Sequence, residues 1–272
     1  MFREKVRPFV NSIVQLSEAW SLARLRSKSW TQPSGSIVRC LQYRVRINDG
    51  LNFYMLYKDI FVRRIYHFET DHDKPLVLDC GSNIGMSILY FKRTYPDARV
   101  IGFEPDPSIF PYLEENIARN GVTDVETHQA ALSTHTGRMT LHSDRRYGSY
   151  LDELSGRPPP EGWTSFEVPC VRLRDYLTEP IDFLKMNVEG AEWEILADSE
   201  DRLRQVREMA IEYHHLPGLP RTLHKILDLL DRCGYEYLVN DFDAESNGAV
   251  LPPFRLNPGT RYFLLIYANR RG

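Results

Sequence analysis

The sequence has no long apolar run, few cysteines and little net charge. Its 272 residues contain no stretch of about eighteen apolar residues, so we expect no membrane-spanning helix, and the charged N-terminus does not fit a signal peptide. The four cysteines form no Cys-x-x-Cys pair, which disfavours a metal site and favours reduced thiols in a cytoplasmic protein. A net charge of −3 gives no electrostatic reason to expect a nucleic-acid partner.

From residue 76 onward, short apolar runs alternate with amphipathic segments. This pattern predicts seven strands of one sheet, at residues 76–78, 99–103, 125–131, 182–188, 209–213, 235–239 and 262–267. Because helical segments separate most of the strands, we expect an α/β fold with a Rossmann-like, mostly parallel sheet covered on both faces. The last two strands are joined by a Pro- and Gly-rich connection (residues 248–259) and are expected to form an antiparallel hairpin at one edge.

Residues 1–75 precede this pattern and are predicted to be an accessory region, followed by a main domain of residues 76–272. Apolar residues at helical spacing predict a first helix over residues 6–26. Asn48-Asp49-Gly50 lies between two apolar runs and predicts the turn of a β-hairpin. A second helix is predicted over residues 57–68.

The first predicted strand of the main domain ends in a turn that contains two glycines. Gly81 allows a sharp turn and the close approach of a ligand, and Gly85 is expected to let the following helix pack close to the sheet. A dinucleotide site normally has Gly-x-Gly-x-x-Gly. The pattern Asp79-x-Gly81-x-x-x-Gly85 lacks the middle glycine, which favours S-adenosylmethionine over a dinucleotide as the cofactor.

The second predicted strand ends in Glu104, whose carboxylate can accept hydrogen bonds from both hydroxyls of a ribose. Asp79 is expected to accept a hydrogen bond from the amino group of the methionine part of the cofactor. Further cofactor contacts are expected at the start of the first helix, where the side chains can instead serve only as caps, and beside the adenine after the third strand; these residues are Ser82, Asn83, Ala130 and Ala131.

A second group of polar residues lies along two later strands. Period-two geometry puts Lys185, Asn187 and Glu189 on one side of their strand, and Glu212 and His214 on one side of the next. Methyl transfer to a hydroxyl needs a base, and His214 is the predicted general base because its ordinary pKa is near neutrality. Glu189 or Glu212 is expected to orient His214, and Lys185 is either catalytic or paired with one of these acids. A metal site built from the same acids is an alternative that the neutral Asn187 disfavours.

The segment around residue 147 combines basic and aromatic residues. Such side chains can hold an acidic or glycosyl acceptor, and the candidate acceptor-binding residues are Arg145, Tyr147, Ser149 and His215. A solvated loop is the alternative interpretation of the same charges.

Several segments together resemble the FkbM family of S-adenosylmethionine-dependent methyltransferases. The resemblance covers about residues 55–270 and rests on residues 77–85, 102–105, 130–133, 171–177, 182–192 and 212–214. It is most specific at Val188-Glu189-Gly190-Ala191-Glu192 with the later Glu212-x-His214. The resemblance implies a class I methyltransferase fold. The family usually has an acid where this chain has Asn187, so that acid's role is not carried over.

The resemblance also implies the reaction, which is methylation of a hydroxyl on a sugar or a small natural product. Two other functions stay open on the sequence. A catalytically silent module that binds S-adenosylmethionine is compatible with the departure at Asn187. A nicotinamide-dependent oxidoreductase is disfavoured by the absent middle glycine.

Overall fold

A computed structural model of the protein describes residues 31–146, 148–155, 158–217, 220–242 and 260–270. The predicted helix over residues 6–26, the connection at residues 248–259 and Tyr147 lie outside the described residues. Within the described ranges, no helix is long and apolar enough to cross a membrane. All four cysteines are buried free thiols.

Strands and helices alternate along the described chain. The strands are β1 (Ile37–Cys40), β2 (Tyr43–Arg46), β3 (Leu76–Cys80), β4 (Arg99–Phe103), β5 (Val125–His128), β6 (Ala131–Ser133), β7 (Gly137–Ser143), β8 (Ser149–Leu151), β9 (Thr164–Arg172), β10 (Ile181–Met186), β11 (Val206–His215), β12 (Tyr235–Asp241) and β13 (Tyr262–Arg270). The helices are α1 (Gly50–Leu56), α2 (Met86–Thr94), α3 (Phe110–Arg119), α4 (Asp152–Ser155), α5 (Glu192–Asp198) and α6 (Leu223–Arg232).

The main sheet has seven strands in the order β12–β13–β11–β10–β3–β4–β5. Neighbours from β11 to β5 pair in parallel, whereas β13 pairs antiparallel with both β11 and β12. The predicted Rossmann-like sheet with an antiparallel edge hairpin is therefore confirmed. Parallel pairing brings the carboxyl ends of β3, β4, β10 and β11 to one edge, where the predicted site residues lie.

A second sheet of four strands, in the order β6–β9–β7–β8, follows β5. β7 pairs antiparallel with both β8 and β9, and β6 pairs in parallel with β9. The candidate acceptor-binding residue Arg145, which follows β7, thus lies at the end of a paired ladder.

The β-hairpin before the main sheet lies earlier in the chain than predicted. β1 and β2 pair with each other through a turn in which Leu41 has a φ of 51°. The predicted turn at residues 48–50 is wrong, because Asp49 instead caps α1 by accepting a hydrogen bond from the backbone N–H of Asn52 (2.8 Å). α1 continues into a π-helical turn (Tyr57–Val62), so the predicted second helix begins and ends earlier than expected.

The main sheet separates two hydrophobic clusters. On one face, aromatic residues of the segment before the sheet pack on it: Phe68 stacks on Phe183 of β10 (4.6 Å between ring centroids), and Phe61 meets Tyr90 of α2 edge to face (5.5 Å). On the other face, the apolar sides of α5 and α6 pack against β10 and β11. Residues before the sheet therefore share a core with it, and the domain boundary at residue 75 stays a prediction.

Candidate cofactor and active site

The turn after β3 lies directly against the end of β10. Gly81 has a φ of +92°, and a Cβ at this position would lie 2.0 Å from the carbonyl oxygen of Asn187. The backbone N–H of Asn187 donates to the carbonyl of Cys80 (2.8 Å), which fixes this approach. A side chain at residue 81 would therefore both strain the backbone and collide with β10.

Gly85 also has a positive φ (+88°), but its role differs from the predicted one. A Cβ here would lie 2.9 Å from Cδ1 of Leu113, so the missing side chain allows the start of α2 to pack against α3. The close approach of α2 to the sheet is provided by Gly102 of β4, where a Cβ would lie 3.0 Å from Cδ1 of Ile88. The expectation that Gly85 serves helix–sheet packing is therefore wrong.

The carboxylate of Glu104 follows β4 and is held by backbone amides. Oε2 accepts from the N–H of Asn83 (2.8 Å), and Oε1 accepts from the N–H of Asp106 (2.9 Å). Burial, with the side chain only 6% exposed, raises the pKa of Glu104 to about 7, although both amides favour the ionised form. Each oxygen has a second lone pair, so the fixed carboxylate can still accept two hydroxyl donors.

The other predicted cofactor residues surround this carboxylate. Ser82 is buried, and its hydroxyl donates to the carbonyl of Asp79 (3.1 Å). Asn83 has a φ of 49°, and its Oδ1 accepts from the N–H of residue 84 (2.9 Å). Ala130 and Ala131 are buried after β5. The hydrogen bonds of Ser82 and Asn83 hold the turn in place. Direct contact of any of these residues with a cofactor stays a prediction.

Lys185 of β10 ties this strand to the glycine turn. Its buried ammonium group donates to the carbonyls of Gly81 and Cys80 (3.4 Å to the latter). It also lies 3.1 Å from Oδ1 of Asp79, whose Oδ2 accepts from the hydroxyl of Ser87 (2.5 Å). Lys185 is therefore paired with an acid, and that acid is Asp79 of β3 rather than the acids of the next strands.

Two buried oxygens beside the turn have no hydrogen-bond donor. The contact of Lys185 with Oδ1 of Asp79 is an ion pair without hydrogen-bond geometry, so Oδ1 has a neighbouring cation but no hydrogen-bond donor. Oδ1 of Asn187 is also unpartnered, because its amide nitrogen donates to Oε2 of Glu212 (3.0 Å) and turns the oxygen away. Buried polar atoms are normally satisfied, so two orphaned acceptors at one turn fit a ligand that brings an N–H group.

The carboxylate of Glu212 on β11 accepts hydrogen bonds from two neighbouring side chains. Its Oε1 accepts from the hydroxyl of Tyr66, which reaches the site from the segment before the sheet, and its Oε2 accepts from Asn187. Burial raises the pKa of Glu212, while the cations Lys185 and His214 oppose that shift. Because Tyr66 holds the other oxygen of this carboxylate, Glu212 keeps the Asn187 amide in one orientation.

His214 lies among three acids rather than beside one orienting acid. Its Nδ1 lies 3.0 Å from Oε1 of Glu192 and 2.9 Å from the carbonyl of Glu212, and its Nε2 lies 3.8 Å from Oε2 of Glu189. Burial alone would lower the pKa of His214, but Glu189, Glu192 and Glu212 outweigh it and raise the pKa to about 10. An imidazole protonated at neutral pH has no lone pair for a proton, so the raised pKa disfavours His214 as the general base, and that role stays a prediction.

Glu189 is the most solvent-accessible acid of this cluster, with 27% of its side chain exposed. It follows β10 with a φ of 56°. Burial raises the pKa of Glu189 to about 7; His214 opposes the shift, and Glu192, Glu212 and Asp144 add to it. A carboxylate that titrates near neutrality beside a fixed cation can exchange a proton with a ligand.

The predicted acceptor residues fall into two places. Arg145 has a φ of 60°, with its guanidinium 5.8 Å from the ring centroid of Phe166, and Ser149 begins β8 opposite Ser143 of β7. His215 projects to the other side of β11 from His214, where its ring lies 4.8 Å from the ring of Tyr262. The structure thus separates His215 from Arg145 and Ser149.

Three residues of the site were not predicted from the sequence. Glu192 lies within the family-like segment 182–192, yet only the fold shows that it bonds His214. Tyr66 and Ser87 lie in a helical pattern that gives no sign of a polar contact. Within the described ranges, no group of three or more His, Cys, Asp or Glu side chains has an arrangement that would hold a metal ion.

A model of the Methyltransferase FkbM domain matches residues 79–237, which is more than half of the chain. The chain belongs to the FkbM methyltransferase family. It is therefore a methyltransferase, as the sequence segments implied, and the oxidoreductase alternative has no support. The matched range contains Gly81, Glu104, Glu189 and His214, so the polar edge of the main sheet is part of the FkbM domain.

Curated relatives of this FkbM-family protein come from fungi and bacteria. It is 29% identical to Methyltransferase sdnD of Sordaria araneosa, over 64% of this chain and 79% of the relative. It is also 29% identical to 31-O-demethyl-FK506 methyltransferase FkbM of Streptomyces tacrolimicus, over 66% and 80%. Identity to 2-O-methyltransferase NoeI of Sinorhizobium fredii is 31%, over 57% and 71%.

Proposed function

We propose that this protein transfers the methyl group of S-adenosylmethionine to a hydroxyl of a sugar or a small natural product. The names of two relatives, a 31-O-demethyl-FK506 methyltransferase and a 2-O-methyltransferase, support an oxygen acceptor. The observation that most supports the cofactor is the Glu104 carboxylate, which two backbone amides fix beside the Gly81 turn.

Three features of the turn fit the parts of this cofactor. Glu104 would accept the two ribose hydroxyls, one on each carboxylate oxygen. The orphaned oxygens of Asp79 and Asn187 would accept the amino group of the methionine part. Backbone groups of Ala130 and Ala131 would lie beside the adenine. When bound, the cofactor would supply the methyl carbon of a sulfonium: the O–C bond to the acceptor would form in line as the C–S bond breaks, and the thioether S-adenosylhomocysteine would leave.

The acceptor hydroxyl must also lose its proton, and we assign this step to Glu189. Its carboxylate is partly exposed, and the neighbouring His214 imidazolium favours its ionised form. His214 therefore acts as a positioning cation, held by Glu192, and not as the base. Asn187 would orient the ligand by accepting a hydrogen bond at Oδ1, which has no other donor.

Labelled S-adenosylmethionine tests the reaction directly. The protein is incubated with the methyl-labelled cofactor and a panel of sugars, glycosides and hydroxylated natural products, and label is expected in an alkali-stable methyl ether. If the nucleoside binds but no acceptor is ever labelled, the silent-module alternative replaces the enzyme.

Replacing Glu104 by alanine is expected to weaken the binding of S-adenosylhomocysteine by roughly 1.5–3 kcal/mol, the scale of lost hydrogen bonds to a charged group. The physical reason is the loss of the ribose acceptor. Calorimetric titration measures the change, with Glu114→Ala on the exposed side of α3 as the control. Unchanged affinity in the Glu104 variant would contradict the ribose assignment.

A further inference from the structure

Each oxygen of the Glu104 carboxylate begins a series of hydrogen bonds toward the segment after β7. In the first series, Oε1 accepts from the N–H of Asp106 (2.9 Å), and Oδ2 of Asp106 accepts from the hydroxyl of Ser143. That hydroxyl oxygen in turn accepts from the backbone N–H of Arg145 (2.8 Å). Three bonds thus connect Glu104 to the candidate acceptor residue Arg145.

The second series passes through the segment before the main sheet. Oε2 of Glu104 accepts from the N–H of Asn83 (2.8 Å), and Oδ1 of Asn83 accepts from Nδ2 of Asn52 (3.3 Å). The same Nδ2 lies 3.2 Å from the carbonyl of Arg146, which also accepts from Nδ2 of Asn48 (2.6 Å). The two series end on consecutive residues and therefore close a ring.

The side chains of this ring have little access to solvent. Asn48, Asn52, Asp106 and Ser143 are all buried. A buried polar group that loses its partner costs about 1–3 kcal/mol, so the ring resists opening at any one bond. The first series ends at Arg145, whose positive φ (60°) is unfavourable for a residue with a side chain.

We propose that Asn52 is a positioning residue that joins the cofactor carboxylate to the acceptor segment 143–146, so that a bound nucleoside fixes this segment. This inference rests on the proposed function, because it takes Glu104 as the ribose ligand. Ribose hydroxyls on Glu104 restrict the carboxylate, and with it the two amides of Asn83 and Asp106. Both series of hydrogen bonds connect the restricted carboxylate to segment 143–146. The segment therefore has less conformational freedom before an acceptor binds.

Asn52 is the most informative residue of the ring because all of its side-chain hydrogen bonds named above are donated by Nδ2. The variant Asn52→Asp keeps the size of the side chain and removes the donor. If Asn52 only filled space, a folded Asn52→Asp variant would keep the nucleoside-dependent protection described below, whereas the proposed role requires that it be lost. Asn120 offers a matched control, since it holds β2 by accepting from the N–H of Arg44 (2.9 Å) and donating to its carbonyl (3.1 Å).

Amide hydrogen exchange of segment 143–146, with and without saturating S-adenosylhomocysteine, tests the proposal. In the unchanged protein the nucleoside is expected to slow exchange by about fivefold or more, the scale of ordinary coupling between two sites. Asn52→Asp should lose this protection while still binding the nucleoside, and Asn120→Asp should keep it. Ser143→Ala, which opens the other series, should reduce the protection too and serves if the Asn52 variant does not fold.

Equal nucleoside-dependent protection in the unchanged protein, Asn52→Asp and Ser143→Ala would overturn the proposal. The proposal would also be overturned if S-adenosylhomocysteine did not change the amide exchange of segment 143–146 in the unchanged protein. If calorimetry shows that the unchanged protein binds no S-adenosylhomocysteine, the proposed function fails instead, and the two failures are thereby distinguished.

Discussion

The variant Glu189→Gln is expected to lower the turnover of methyl transfer by about 10²- to 10⁴-fold, the usual contribution of a positioned base. Glutamine keeps the size of the side chain but cannot accept the hydroxyl proton. The affinity for S-adenosylhomocysteine should stay within about twofold, because its ribose is assigned to another carboxylate, Glu104. Initial rates with a labelled acceptor and calorimetric titration measure the two effects separately.

The assignment of Glu189 as the base also predicts the direction in which turnover changes with pH. The charged and titratable groups that face Glu189 are His214 and Glu212 from β11, Glu192 from α5 and Asp144 after β7. Because they and burial place the pKa of Glu189 at about 7, turnover should rise with pH through neutrality as the carboxylate loses its proton. His214 stays protonated over this range, since its pKa is raised to about 10. The rising limb should vanish in Glu189→Gln.

A control and an acceptor-free measurement accompany these rates. Glu114→Gln makes the same chemical change on the exposed side of α3 and should leave turnover and affinity unchanged. Removing the Glu189 charge should lower the pKa of His214, which NMR titration of the imidazole detects without any acceptor. Full turnover in Glu189→Gln with an unaltered pH profile would show that the base is elsewhere.

The variant Lys185→Met is expected to lower the free energy of unfolding by about 3–5 kcal/mol, as breaking one partner of a buried ion pair does. Methionine fills a similar volume but removes the cation beside the fully buried carboxylate of Asp79. It also removes the ammonium donor to the carbonyl of Gly81, whereas the carbonyl of Cys80 keeps the N–H of Asn187. Denaturant unfolding followed by far-UV circular dichroism measures the loss.

Two further variants separate charge from packing. Lys92→Met removes a lysine that, unlike Lys185, is only partly buried and donates to the carbonyl of Ala98 (2.6 Å), and it should cost about 0.5–1.5 kcal/mol. Adding Asp79→Asn to Lys185→Met removes the uncompensated charge and should recover part of the stability. A loss in Lys185→Met no larger than in Lys92→Met would refute the structural role of the Asp79–Lys185 pair.

The strands of the main sheet and its mostly parallel character were predictable because each strand has a local signature. Buried parallel strands are short apolar runs, and those that end in Cys80 and Phe103 are followed by a glycine turn and an acid. The hairpin at residues 48–50 was mispredicted for a local reason as well. Asp49 before Gly50 is favourable both in a tight turn and as a helix cap, and only packing of the following apolar residues decides between them.

The site residues were likewise predictable where local sequence determines their positions and not where only the fold does. The positions of Glu104 and Gly81 at this edge of the sheet were predictable because both follow the ends of strands. The state of His214 was not, because its pKa depends on three acids that converge only in the fold, one of them Glu192 from the following helix. Tyr66 and Asn52 lie outside the recognisable motifs, and their contacts arise from packing of the segment before β3 against the sheet.

Binding of S-adenosylhomocysteine to the unchanged protein tests the central claim most directly. Calorimetry should show saturable one-to-one binding, and a nucleoside concentration of about 100 times the Kd should stabilise the folded protein by about 2.7 kcal/mol. NADH at the same concentration should do neither. A heat of mixing and a Tm that stay unchanged with S-adenosylhomocysteine would contradict the assignment of Gly81 and Glu104 to a methyl-donor site.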